Sequence, residues 1–155
     1  MDDPMRITYA SDFSPASRAA FSQALRLAKA TGGSLTILHV LVTPASQFIT
    51  GAYISQETWD LIESDVRARA TQQMDALIKE ASDAGVRATA EFIDGGIPAE
   101  EIVRVAQSSK TDILVLGTHG RTGVMKALLG SIAARVVATA ACPVLTVRMP
   151  VEAGR

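Results

Sequence analysis

Residues 112–148 read DILVLGTHGRTGVMKALLGSIAARVVATAACPVLTVR. Asp112 to Leu116 is a short apolar run of the kind found in a strand covered on both faces. A glycine-rich turn follows, and Ser131 to Ala140 reads as a helix. Pro143 then sets the entry to another strand, Val144 to Arg148, because the first residue of a strand can lack an amide donor. Strand, helix and strand in this order form one unit of a parallel α/β sheet.

The same alternation runs back towards the start of the chain. Arg87 to Asp94 reads as a strand, and after Gly95-Gly96 a helix starts near Pro98. Glu100 and Glu101 lie in its first turn, where the dipole favours negative charge, and Ile102, Val105 and Ala106 face inward. Before it, Trp59, Ile62, Val66, Ala70, Met74, Leu77 and Ala81 recur at spacings of three and four and predict a long amphipathic helix ending at Gly85. Ser34 to Leu41 is an apolar strand. Arg6 to Ser11 is the first strand, followed by Ser14 as a helix cap and Pro15 at the first helical position. That helix buries Phe21, Ala24, Leu25 and Ala28, and Gly32 and Gly33 stop it.

The reading is α/β: a doubly wound, five-stranded parallel sheet of order 3-2-1-4-5 with helices on both faces. Ligands of such sheets lie outside the carboxyl ends of the strands, here in a crevice between the first and fourth. The segments that reach it are Ser11 to Ser14 and Gly117 to Gly123. The connection from Val42 to Ser55 is long for a compact domain and oddly apolar, with Phe48, Ile49, Tyr53 and Ile54; it is expected to cover a ligand or meet a partner.

Composition bounds the function. The chain of 155 residues fits one domain, taken as 1–150 with a short tail at 151–155, and needs no metal or disulfide staple. Its 15 basic and 16 acidic residues are scattered and leave a net charge of -1, which argues against broad binding to nucleic acid. No apolar run approaches the ~20 residues that span a bilayer, so no membrane insertion is expected. The lone Cys142 forms no internal disulfide, and the start Met-Asp-Asp-Pro-Met-Arg lacks a signal-peptide pattern, so a cytoplasmic location is expected. Cys142 reads as a small buried residue and His39 as a hydrogen-bonded core histidine, since two isolated histidines and one cysteine give no metal-site spacing.

The chemistry sits in Gly117-Thr118-His119-Gly120-Arg121 and, nine residues after Gly120, Gly130-Ser131. Glycines let the backbone approach phosphate oxygens, while the amides and positive dipole end of the following helix attract negative charge. Ser131 can add a hydroxyl donor. Arg121 is the nearest obvious cation, read either as phosphate-bound or as solvated, whereas Lys126 reads as solvated. No catalytic residue is assigned: His119 as a base would need a positioned nucleophile and an orienting partner.

The run from Gly117 to Arg148, with the early Asp12 and the strand LTILHV, resembles the universal stress protein family over nearly the whole domain. The G-x2-G-x9-G-[ST] pattern is intact. The resemblance implies binding of ATP or another adenine nucleotide, with Mg²⁺ or Mn²⁺ held through the phosphates. It implies nucleotide contacts at Asp12, Val40, Gly117, Thr118, His119, Gly120, Arg121, Gly130, Ser131 and Ile132, with Asp12 near the base and ribose and the Val40 backbone beside adenine. It further implies a homodimer through the edge strand Val144 to Val147. The expected role is regulatory, with slow hydrolysis at most; the alternatives are a nucleotide hydrolase and a dimeric interaction module that uses no nucleotide.

Overall fold

The computed structural model describes residues 3–42, 54–119 and 129–150. In chain order the elements are β1 (Arg6–Ala10), α1 (Pro15–Thr31), β2 (Ser34–Leu41), α2 (Gln56–Asp83), β3 (Arg87–Asp94), α3 (Pro98–Ser108), β4 (Ile113–Gly117), α4 (Ser131–Thr139) and β5 (Val144–Val147). The strands form one all-parallel sheet of order β3-β2-β1-β4-β5, with Ala10 beside Leu38 on one side and Leu116 on the other. This is the expected topology. Several ends shift by a residue: β1 stops at Ala10, β4 runs from Ile113 to Gly117, α4 ends at Thr139 and β5 ends at Val147. Backbone pairing sets these limits, and apolar patterning locates them only approximately.

Alternation along the strands divides the core between two faces. Ile7 and Tyr9 of β1, Leu35 and Ile37 of β2 and Val115 of β4 pack under Phe21, Ala24, Met74, Leu77 and Ala81 of α1 and α2. Ala10, Leu38, Leu114 and Leu116 face the other way, towards Ile102 and Val105 of α3 and Val136 of α4. Thr8 also turns from the first face, and its hydroxyl meets that of Thr111 at 2.6 Å in a buried pair.

Local signals explain the helix boundaries. Ser14 caps α1 by accepting the Ser17 N–H at 3.2 Å, and Gly32 ends it in the left-handed region at φ 62°. Ser55 caps α2 in the same way, accepting the Thr58 N–H at 3.3 Å. The α2 pattern needs a correction, however. Only Ala70, Met74, Leu77 and Ala81 of that helix are buried; Trp59, Ile62 and Val66 are half-buried, and Leu61 is 71% exposed. Its 28 residues span about 42 Å, whereas the eight-residue strand beside it spans about 26 Å, so the first half of the helix outruns the sheet. Arg67 forms an ion pair with Asp94 at the end of β3 and braces that overhang.

At the opposite end of the sheet, the Asp112 carboxylate accepts the Arg6 N–H at 2.7 Å and the Arg6 guanidinium at 3.2 Å. The Asp112 N–H in turn donates to the Arg6 carbonyl at 2.8 Å. These bonds tie the starts of β1 and β4. Among the described residues no helix is long and apolar enough to cross a membrane.

Candidate functional site

The carboxyl ends of β1 and β4 are adjacent, and their chains then leave on opposite faces of the sheet. From β1 the chain turns through Ser11 to Ser14 into α1. Asp12 Oδ1 accepts the Ser14 N–H at 2.9 Å, so the carboxylate helps to close the turn that presents it. Phe13 adopts φ 60°, a left-handed backbone unusual for a large side chain.

A buried hydroxyl network lies beneath this turn. The Tyr9 hydroxyl donates to the Ser17 carbonyl at 2.7 Å, with the Ser17 and Ser11 hydroxyls at 2.8 and 3.1 Å. Ser11 Oγ also accepts the Phe13 N–H at 3.1 Å. Thus Tyr9 connects the end of β1, the turn and the first turn of α1. Burial pushes the Tyr9 hydroxyl above its ordinary pKa, against the opposing effect of its serine partners.

Tyr9→Phe is expected to lower unfolding stability by about 1–2 kcal/mol near neutral pH, because Ser17 loses a buried donor. The sign of the pH effect follows from the raised pKa. Folded Tyr9 keeps its proton after the unfolded chain's tyrosine ionises near pH ~10, so its contribution is full below that pH and is lost as pH rises through the folded value. Urea unfolding of both proteins should therefore give a difference that shrinks above about pH 10; a constant difference up to pH ~11 would contradict this account.

On the other side of the crevice, β4 ends at Gly117 and α4 begins after Gly130. The two are joined: the Gly130 N–H donates to the Thr118 carbonyl at 2.6 Å. A Cβ at Gly130 would lie 2.8 Å from that oxygen. A Cβ at Gly117 would lie 2.9 Å from the Ala16 carbonyl carbon and 3.1 Å from the Ser17 nitrogen. Glycine at 117 therefore also answers to a requirement absent from the sequence pattern, the close approach of α1.

Gly130 occupies the N-cap of α4 and has no side chain with which to cap that helix. The N-cap residue thus leaves the first-turn amides to other acceptors, which suits an anion. Thr118 is buried, and its hydroxyl lies 2.9 Å from His119 Nδ1. Among the described residues, His119 Nε2 is buried with no hydrogen-bond partner. Such an atom costs free energy until something supplies the missing bond.

The structure brings Thr118, His119, Gly130 and the start of α4 into one corner, with Gly117 at its base. Ser131 is the first residue of α4, and Ile132 is 40% exposed beside it. Asp12 belongs to the neighbouring turn; Val40 of β2 is half-buried and packs against the second core cluster. Gly120, Gly123, Arg121 and Lys126 lie outside the described residues, as do Phe48, Ile49 and Tyr53 of the long connection. Among the described residues, no group of three or more His, Cys, Asp or Glu is placed to hold a metal ion.

Two residues outside the corner complete the comparison with the sequence. His39 is buried and donates from Nδ1 to the Ser11 carbonyl at 2.7 Å, the hydrogen-bonded core role its apolar strand suggested. Cys142 is half-buried rather than buried, and loss of solvent pushes its thiol pKa up. Sequence reasoning missed the Tyr9 network and Phe13. The run of serines at 11, 14 and 17 was the available signal.

Comparison with known proteins adds an independent line. The model of the universal stress protein family matches residues 4–148. Universal stress protein MJ0531 of Methanocaldococcus jannaschii is 33% identical over 94% of this chain and 82% of its own length. The solved structure of MJ0577 from the same organism superposes with a TM-score of 0.80 at 26% identity, covering 96% of this chain and 98% of that one. Structures of the same fold include a universal stress protein in complex with cAMP, with a TM-score of 0.69 at 22% identity over 96% of this chain and 100% of that one. They also include an Arabidopsis thaliana protein with AMP bound, with a TM-score of 0.67 at 21% identity over 95% of this chain and 93% of that one. At these identities the likeness to the last two shows the fold alone.

Proposed function

This chain belongs to the universal stress protein family, and from that premise we propose that it binds ATP or another adenine nucleotide and acts as a regulatory protein rather than as a fast enzyme. The observation that carries the reading is the corner in which the Thr118 carbonyl holds Gly130 at the start of α4. Amides of the first turn of α4 take phosphate oxygens there, and the Ser131 hydroxyl adds a donor. The orphaned His119 Nε2 gains a partner when a polar ligand fills the corner. Across the crevice, Asp12 accepts from ribose hydroxyls and the Val40 backbone faces adenine. The cAMP and AMP held by relatives of the same fold support an adenine ligand.

Gly117, Gly120 and Arg121 complete the proposed phosphate contacts, with Mg²⁺ or Mn²⁺ held through the phosphates. Hydrolysis, where it occurs, is slow. The second half of the proposal is a homodimer through Val144 to Val147 of β5, an edge strand on which Leu145 is 37% exposed. Nucleotide occupancy then changes the dimer or its affinity for partners in the cytoplasm.

Calorimetry on protein stripped of copurified ligand is expected to show saturable binding of ATP. Mass spectrometry of the small molecules released when fresh protein is denatured should find an adenine nucleotide. Absence of binding for ATP, ADP, AMP and cAMP alike would end the nucleotide reading; light scattering that finds only monomer at high concentration would end the dimer.

A further inference from the structure

One imidazole holds the chain on both sides of Asp12. Before it, the Ser11 carbonyl accepts from His39 Nδ1 at 2.7 Å; a carbonyl can only accept, so that nitrogen carries the proton. After it, the Phe13 ring lies on the same imidazole, with centroids 4.4 Å apart and planes inclined by 33°. The Phe92 ring of β3 lies nearly perpendicular to His39, with centroids 6.3 Å apart. His39 is 6% exposed, so these contacts are made away from bulk water.

The turn needs such a hold. Phe13 at φ 60° sits in a region that large L side chains disfavour, and residues kept there persist only where surrounding contacts over-determine them. The Asp12 carboxylate is itself folded back onto the Ser14 N–H. If either hold is lost, Phe13 can relax towards ordinary backbone angles and the carboxylate changes direction.

We propose that His39 is a positioning residue for the nucleotide site, fixing Asp12 by a hydrogen bond to the residue before it and a ring contact with the residue after it. The inference rests on the nucleotide reading given above. It assigns no ligand contact to His39. Its effect on affinity passes through Asp12.

Two substitutions separate the holds. His39→Asn keeps an N–H donor near the position of Nδ1 but removes the ring; His39→Phe keeps a ring and removes the donor. ATP affinity is measured by calorimetry on the full chain at a temperature where circular dichroism shows each variant folded. Each is expected to weaken ATP binding about tenfold in the wild-type background. In an Asp12→Ala background the same substitutions are expected to change it less than about twofold, since residues that act through one another do not add.

Affinity unchanged in both variants would overturn the proposal, as would an equal loss with and without Asp12, which marks a general effect on folding. If unsubstituted protein does not bind ATP, the nucleotide reading fails first, an outcome distinct from failure of the His39 variants to respond.

Discussion

Replacing Gly117 with alanine is expected to lower unfolding stability by about 2–3 kcal/mol, before any ligand is considered. The added methyl would lie 2.9 Å from the Ala16 carbonyl carbon, 3.0 Å from its oxygen and 3.1 Å from the Ser17 nitrogen. These are backbone atoms in the first turn of α1, so no side chain can rotate away. Ser17 is also bound to the Tyr9 hydroxyl network, and moving it disturbs the buried donors and acceptors below the turn. Urea unfolding near neutral pH measures the effect. A change below about 0.5 kcal/mol would mean that α1 yields, and that its approach to β4 is looser than the geometry requires.

Gly130→Ala is expected to act differently, weakening ATP binding more than about tenfold at a smaller cost in stability. Its backbone, at φ -60° and ψ 156°, is one that alanine adopts freely, so no conformational strain arises. The constraint is the Thr118 carbonyl, 2.8 Å from the added carbon. That oxygen accepts the Gly130 N–H at 2.6 Å, and relief of the contact must open the corner where phosphate is proposed to sit. Calorimetry with ATP on folded protein reads the result. Affinity within about twofold of the unsubstituted chain would place the phosphates elsewhere, even if the fold and the family are as described.

The contrast between these glycines shows where sequence reading stops. Their spacing points to a phosphate corner, yet only coordinates reveal that Gly117 faces the backbone of α1 and Gly130 faces Thr118. The succession of elements was legible because a parallel α/β chain writes each one as an apolar run of distinct period, and Pro15, Gly32 and Pro98 mark helix boundaries; the spatial order of the strands followed from the crossover rule. The exposed half of α2 was not legible. A spacing of three and four gives the side of a helix that faces inward, but not where the sheet beneath it ends.

The Phe13 conformation was hidden for a related reason. Its ring packs on His39, 26 positions along the chain on β2, and nothing in a phenylalanine suggests a left-handed backbone there. Tyr9 likewise resembles any aromatic in an apolar strand until Ser11 and Ser17 are brought to its hydroxyl. Long-range polar partnerships leave no period in a sequence, whereas apolar faces do.

The overhang of α2 has a mechanical consequence. From Arg67, which meets the end of β3, to the Ser55 cap the helix extends about 18 Å. A tilt of about 10° at that pivot would sweep the tip through about 3 Å by the rise of the helix, while hardly disturbing Met74 or Leu77. The chain from β2 joins α2 at this far tip, so a force applied there acts through a long lever arm on the pivot where Arg67 meets Asp94.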